Sequence, residues 1–257
     1  MIALMYHDIV PPGEEDASGF RGPDAARYKL SPDRFDDHLR ALAALPSARE
    51  PALTFDDGGA SAMRAAEMLA RWQRRGWFFV TVDRIGTRGF LDVASIRDLH
   101  RAGHVVGSHS CSHPLRMARC SAAQLHEEWH RSRSTLSDMV SGDVTAASVP
   151  GGEFAGRVAD AAAEAGFTVL YTSEPTARVR LEGGLSIRGR YTIQRWTSAA
   201  TAAALAAGAP LPCAAQAMIW TAKKLSKRLA GDQYLRLRRL LLGHARDVRW
   251  GDAGAGD

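Results

Sequence analysis

Three short clusters of this chain have the residue types and spacing to do chemistry together. The first is Asp56-Asp57-Gly58-Gly59, preceded by Leu53-Thr54-Phe55. Neighbouring side chains of a strand point to opposite faces, so adjacent carboxylates converge only where the backbone turns, and Gly58-Gly59 permits a turn. Two carboxylates side by side repel, and at least one needs a cation. A metal on one, with the other left to accept a proton, meets both demands. The competing reading is an ordinary strand-to-helix turn in which an aspartate caps the helix.

The second cluster is His109-Ser110-Cys111-Ser112-His113-Pro114, about fifty residues further on. Two histidines four apart share one face of a single helical turn, from which both imidazoles can reach one ion at roughly 2.0–2.1 Å. Pro114 disfavours helical geometry at His113, so the turn should be brief. Cys111 points away from both and reads as packing. Taken alone, the pair also fits a hydrogen-bonded polar loop. Combined, one carboxylate and two imidazoles form a three-ligand set with room for water, the catalytic pattern for Zn²⁺, with a spare carboxylate beside it. The third cluster is Ser148-Val149-Pro150-Gly151-Gly152. A glycine after proline at a strand end exposes a backbone N–H that can hold a tetrahedral oxyanion. By itself the segment is also a plain strand-to-helix turn.

The elements that must position these clusters alternate. Strands are expected at Ile2–Met5, Ala52–Phe55, Trp77–Val82, His104–Gly107, Ala146–Val149, Thr168–Tyr171 and Leu185–Ile193. Helices are expected at Ser31–Leu45, Ala60–Arg75, Val93–Ala102, Ser121–Val140, Arg157–Ala165, Ala199–Ala207 and Cys213–Leu242. Residues 11–29, rich in Pro, Gly and Asp, read as a long loop. Strands alternating with helices imply parallel pairing, and about seven such units suggest a barrel rather than an open sheet. Barrel chemistry sits on the loops after the strands, where all three clusters fall.

TFDDGG, then HSCSHP, then a Pro-Gly strand end resemble the polysaccharide deacetylase family with the NodB homology domain, over most of Met1–Ile193, with LMYHDIV and GRYTI as flanking matches. The resemblance implies an α/β fold, a distorted (β/α)7 barrel of NodB type, and hydrolysis of N-acetyl groups on an amino-sugar-containing saccharide. It implies Asp56 as base, Asp57, His109 and His113 as ligands of Zn²⁺ or another divalent transition metal, and the Gly151 N–H as part of the oxyanion hole. The chain departs from the family twice. Ser148 stands where an arginine usually orients the base, and the last strand carries no histidine to protonate the leaving amine. His7, which follows the first strand, is the candidate acid, against a purely structural histidine. Glu174 is a further candidate, against a solvated loop acid. Arg190 could orient Asp56 or bind an anionic substrate, against a surface charge. The two departures also leave open a catalytically degenerate protein of this fold that only binds carbohydrate.

Residues 1–195 are expected to form the barrel, and residues 196–257 a basic helical extension packed on it. The chain of 257 residues, 46% apolar and 24% charged, excludes a disordered polymer. Three cysteines without a CxxC pair argue against a disulfide framework or a thiolate zinc site, and point to a reducing compartment. Lacking a signal-like start or a long apolar run, the protein is expected in the cytoplasm. Its net charge of +5 draws it to anions. The basic amphipathic stretch 213–242 could touch an anionic membrane peripherally, as an alternative to packing with a solvated basic face. The substrate could then be lipid-linked rather than free or nucleotide-linked. With only Trp220 and Tyr234 among the basic residues of that stretch, no nucleic-acid partner is expected.

Overall fold

The computed structural model describes residues 2–46 and 50–225. Met1–Ala217 forms one compact unit, and a second begins at Met218. The strands are β1 (Ala3–Tyr6), β2 (Ala52–Phe55), β3 (Gly76–Val80), β4 (Val105–Ser108), β5 (Ala146–Ser148), β6 (Val169–Tyr171), β7 (Val179–Glu182), β8 (Leu185–Arg188) and β9 (Tyr191–Thr192). The helices are α1 (Pro23–Ala26), α2 (Pro32–Ala43), α3 (Ala62–Arg71), α4 (Val93–Arg101), α5 (Ala122–Val140), α6 (Gly156–Glu164) and α7 (Ala199–Ala206), followed by α8 (Pro210–Leu225).

One curled sheet holds all nine strands in the order β7-β8-β6-β5-β4-β3-β2-β1-β9. Every pairing is parallel except β7 with β8. This is the distorted α/β barrel of NodB type. Local chemistry sets the helix starts. Ser31 accepts the Arg34 N–H, Asp92 accepts the Ser95 N–H, and Ser121 with Gln124 closes a capping box. Leu125, Trp129 and Leu136 of α5 are spaced by four and seven residues, so one face of the helix is buried against the sheet. The main core lies between sheet and helices. The second, inside the curl, consists of Ala3, Ala52, Phe79, Ala146 and Tyr171. Three of these five are alanines, which leaves room at the strand ends for polar side chains.

Leu185–Ile193 is not a single strand. It divides at Gly189-Arg190, so that β8 pairs with β6 and β9 pairs with β1. The run therefore bridges the two sides of the curl. Glycine is required at the division, because a Cβ on Gly189 would lie 2.3 Å from the Glu174 carbonyl oxygen. Strand β7 has no counterpart among the expected elements. Its side chains are all exposed, so burial leaves no mark on its composition. The available signal was Gly183-Gly184, both at positive φ, which makes a two-residue hairpin turn to β8. Of the expected helix Cys213–Leu242, residues 226–242 lie outside the described residues.

Candidate metal centre and active site

The site is assembled at the C-terminal ends of β2, β4 and β5. The chain leaves β2 through Asp57 at φ 76° and Gly58 at φ 77°, so the turn begins at the second aspartate itself. That reversal brings the Asp57 carboxylate round towards β4. Gly59 faces the buried Asp8 so closely that a Cβ would meet the Asp8 Oδ1 at 2.1 Å. Asp8 accepts the Ser18 and Ser61 hydroxyls and pairs with Lys29 at 3.6 Å. The Lys29 ammonium also donates to the carbonyls of Glu15, Ser18 and Phe20. The loop 11–29 is thus fixed beside the β2 turn, and its Phe20 ring packs 4.7 Å from the His113 ring.

The histidines do not share a helical turn. Residues 109–113 form an irregular loop with Ser110 at φ 63° and His113 at φ 61°. Pro114 bars helix at His113, as expected, and side chains supply what a helix would have supplied. Ser110 Oγ accepts the His113 N–H. Glu128 of α5 accepts the N–H groups of Cys111 and Ser112 and the Ser112 hydroxyl. Among the described residues, three of the five non-glycine residues at positive φ are Asp57, Ser110 and His113. Each costs roughly 1–3 kcal/mol, which the surrounding packing must offset.

The loops place Asp57 Oδ1 3.4 Å from His109 Nε2 and 3.3 Å from His113 Nε2. One ligand atom from each of the three residues lies within 4.8 Å of the others. Ligands of a tetrahedral ion at 2.0–2.1 Å are about 3.4 Å apart, so the set fits a divalent ion. The Nδ1 of His109 donates to the Ser148 carbonyl at 3.0 Å, which turns Nε2 toward Asp57. Burial alone would raise the Asp57 carboxyl, but hydrogen bonds from His109 and His113 outweigh it and hold the group well below the usual range. Burial would lower His109, yet the charge of Asp56 and the bond to Asp57 leave it raised. Cys111 is fully buried, its thiol pushed up to about 12 chiefly by that burial, and it belongs to the core.

Asp56 lies beside this cluster, its Oδ2 3.9 Å from His109 Nε2, and Arg190 grips it. Nη1 and Nη2 of Arg190 reach Asp56 Oδ1 at 2.6 Å and Oδ2 at 2.8 Å. Nη1 also donates to Thr54 Oγ1, Nη2 to Ser148 Oγ, and Nε to the Thr172 carbonyl. All five donors of the guanidinium are therefore used. Arg190 is wholly buried and stands over the rings of Phe79 and Tyr171. The surface-charge reading of Arg190 is thereby removed. Burial works to raise the Asp56 carboxyl, and the Arg190 charge more than reverses it, so Asp56 stays ionised. Ser148, which stands in place of the family's arginine, joins the same network by donating to Asp56 at 3.2 Å.

His7 follows β1 at the same rim. It lies near enough to Asp56 and Asp57 to act on both electrostatically, its ring lies 4.8 Å from that of Tyr28, and its Nδ1 is buried without a hydrogen-bond partner among the described residues. Gly151, at φ 66°, stands so close to the Leu115 carbonyl that no side chain fits there. The Glu174 carboxylate turns away to Arg180 at 3.7 Å, an exposed ion pair. The sequence reading missed Asp8 and Glu128. Asp8 lies in the flanking match LMYHDIV, but only His7 was singled out there, and Glu128 is one of many charges on an amphipathic helix.

A curled parallel sheet with an Asp-His-His cluster and a second aspartate at its C-terminal rim defines a NodB-type deacetylase fold. The family model described as polysaccharide deacetylase matches residues 46–170. His7 and Arg190 both lie outside the matched segment. The structure is similar to that of the Streptococcus pyogenes deacetylase PplD in complex with acetate, at TM-score 0.63 and 20% identity, covering 77% of this chain and 95% of that one. It is similar to BC0361, a polysaccharide deacetylase from Bacillus cereus, at TM-score 0.67 and 20% identity, with 80% and 68% covered. It is also similar to IcaB from Ammonifex degensii, at TM-score 0.63 and 20% identity, with 80% and 96% covered. At that identity the similarity concerns the fold. No curated protein sequence matches the chain.

Proposed function

We propose that this protein hydrolyses the N-acetyl group of an amino-sugar-containing saccharide with the help of one divalent ion, Zn²⁺ by the chemistry of its ligands. The observation that carries this reading is the division of labour between the two aspartates. Asp57 turns to the two imidazoles, whereas Asp56 is held by Arg190 and Ser148 beside them. An ion bound by Asp57, His109 and His113 would supply Lewis acidity toward the acetamide oxygen and the attacking water. Asp56, kept ionised by Arg190, accepts the proton of that water as its oxygen bonds to the acyl carbon. The Gly151 N–H donates to the oxygen that becomes negative. The C–N bond then breaks, and His7 protonates the departing amine, giving acetate and the free amino sugar. The saccharide is free, nucleotide-linked or lipid-linked.

The carbohydrate-binding alternative drew on the missing arginine and histidine. Arg190 holds Asp56 from the bridge between β8 and β9, and His7 follows β1 at the same rim, which speaks against that alternative. The test is acetate release from N-acetylated chito-oligosaccharides together with elemental analysis. Asp57→Ala and His113→Ala lose metal and activity together. Asp56→Asn keeps the metal and loses about 10²–10⁴-fold in rate. Normal turnover by Asp56→Asn would overturn the assignment.

A further inference from the structure

We propose that α8 lies along an anionic membrane surface through an apolar face that it turns to solvent. One side of the helix is committed to the protein. Cys213 packs against the core, and Gln216 exchanges two hydrogen bonds with the backbone of Thr192. The other side of such a helix is ordinarily polar. Here it presents Leu211, 84% exposed, and Met218, 73% exposed, with Ile219 and Leu225 each at 56%. Ala214, Ala215 and Ala222 fill the spaces between them and are also exposed. Residues 211, 215, 218, 222 and 225 follow one another at steps of three and four, so they form a single stripe. A continuous apolar stripe facing water marks a surface that something else covers.

Charge selects the occupant. Lys223 and Lys224 lie between Ala222 and Leu225 in sequence, off the face of the stripe, and the Lys224 ammonium stands 4.7 Å over the ring of half-buried Trp220. Across 223–239 the sequence carries Lys223, Lys224, Lys227, Arg228, Arg236, Arg238 and Arg239 against a single acid, Asp232. A second copy of this chain would bring these cations against cations. A surface of anionic lipid matches both features, with acyl chains for the stripe and headgroups for the basic residues. The helix lies on such a surface and does not cross it. Among the described residues no single helix is long and apolar enough to span. The pair α7 and α8 reaches the length only with a 94° bend, and α7 buries Ala202, Leu205 and Ala206 in the core.

The experiment is sedimentation of the full chain with vesicles of phosphatidylcholine alone and of phosphatidylcholine mixed with phosphatidylglycerol. The expected result is partition onto the mixed vesicles that weakens with salt, and little onto the neutral ones. The double variant Met218→Gln, Ile219→Gln leaves net charge unchanged and should lower partition about tenfold or more. Its melting temperature should equal the parent's, and Leu211→Gln provides a second, independent probe of the stripe. Three outcomes overturn the proposal. The parent ignores anionic vesicles; the variants partition like the parent; or light scattering shows a concentration-dependent dimer that the double variant abolishes.

Discussion

The proposed function gives Arg190 a catalytic task beside a stabilising one. Its guanidinium and the Asp56 carboxylate are buried together, and each satisfies the other. Removing one partner of such a pair leaves an isolated charge and costs about 3–5 kcal/mol. Arg190→Met should therefore lower the melting temperature by about 6–20 °C, at 2–4 °C per kcal/mol for a domain of this size. Adding Asp56→Asn to Arg190→Met removes the stranded charge, and calorimetry should show much of the loss recovered while activity stays absent. Strictly additive losses would mean that Arg190 stabilises by packing alone. His7 calls for a different probe, because its proposed task concerns the leaving group. Amide hydrolysis needs a protonated amine to depart, whereas an aryl acetate ester expels a stable phenolate unaided. His7→Gln should slow acetate release from an N-acetylated sugar by about 10²–10⁴-fold and leave hydrolysis of the aryl ester within a few-fold of the parent. Equal losses on both substrates would make His7 a structural residue.

At the scale of the elements, much of the layout was legible from apolar runs and caps. Ala52–Phe55 coincides with β2, and Ser121–Val140 differs from α5 only by its capping residue. The site loops were legible only as types of residue. The spacing of His109 and His113 pointed to one ion, but through a helical turn that does not form. Convergence depends on Ser110 and His113 at positive φ, a geometry that serine and histidine do not advertise. It also depends on Glu128, whose contacts reach across seventeen positions to Cys111. Arg190 was legible as one candidate to orient Asp56, but it belongs to the bridge between β8 and β9 and its closeness to Asp56 spans 134 positions, so nothing local to either residue could choose that reading over a surface charge. The Glu128 contacts can be tested directly. Glu128→Ala frees two N–H groups and a hydroxyl that hold the His109–His113 loop. Metal affinity should fall about 10–100-fold, the usual effect of loosening the groups that orient ligands, while turnover at saturating metal is largely retained. An unchanged affinity in a metal titration would show that the backbone bonds from Val82 and Asp83 to this loop hold it alone.

The barrel unit as a whole is organised around its rim. Inside the curl, alanines at Ala3, Ala52 and Ala146 make room for Arg190 above Phe79 and Tyr171, and the β8–β9 bridge delivers that arginine from the segment that links the two ends of the sheet. Asp57, His109 and His113 come from loops after two different strands, so an ion on all three ties the β2 and β4 ends together. The strained residues Asp57, Ser110 and His113 lie in those same loops. An ion that binds the folded protein and not the unfolded chain stabilises the fold by mass action, about 2.7 kcal/mol at a free concentration a hundredfold above its Kd. Stripping the protein with a chelator should therefore lower the melting temperature by about 5–11 °C and abolish acetate release, and excess Zn²⁺ should restore both. The same treatment of Asp57→Ala should move its melting temperature little, because the variant has lost a carboxylate ligand. A chelator shift of equal size in both proteins would place the stabilising ion somewhere other than between Asp57, His109 and His113.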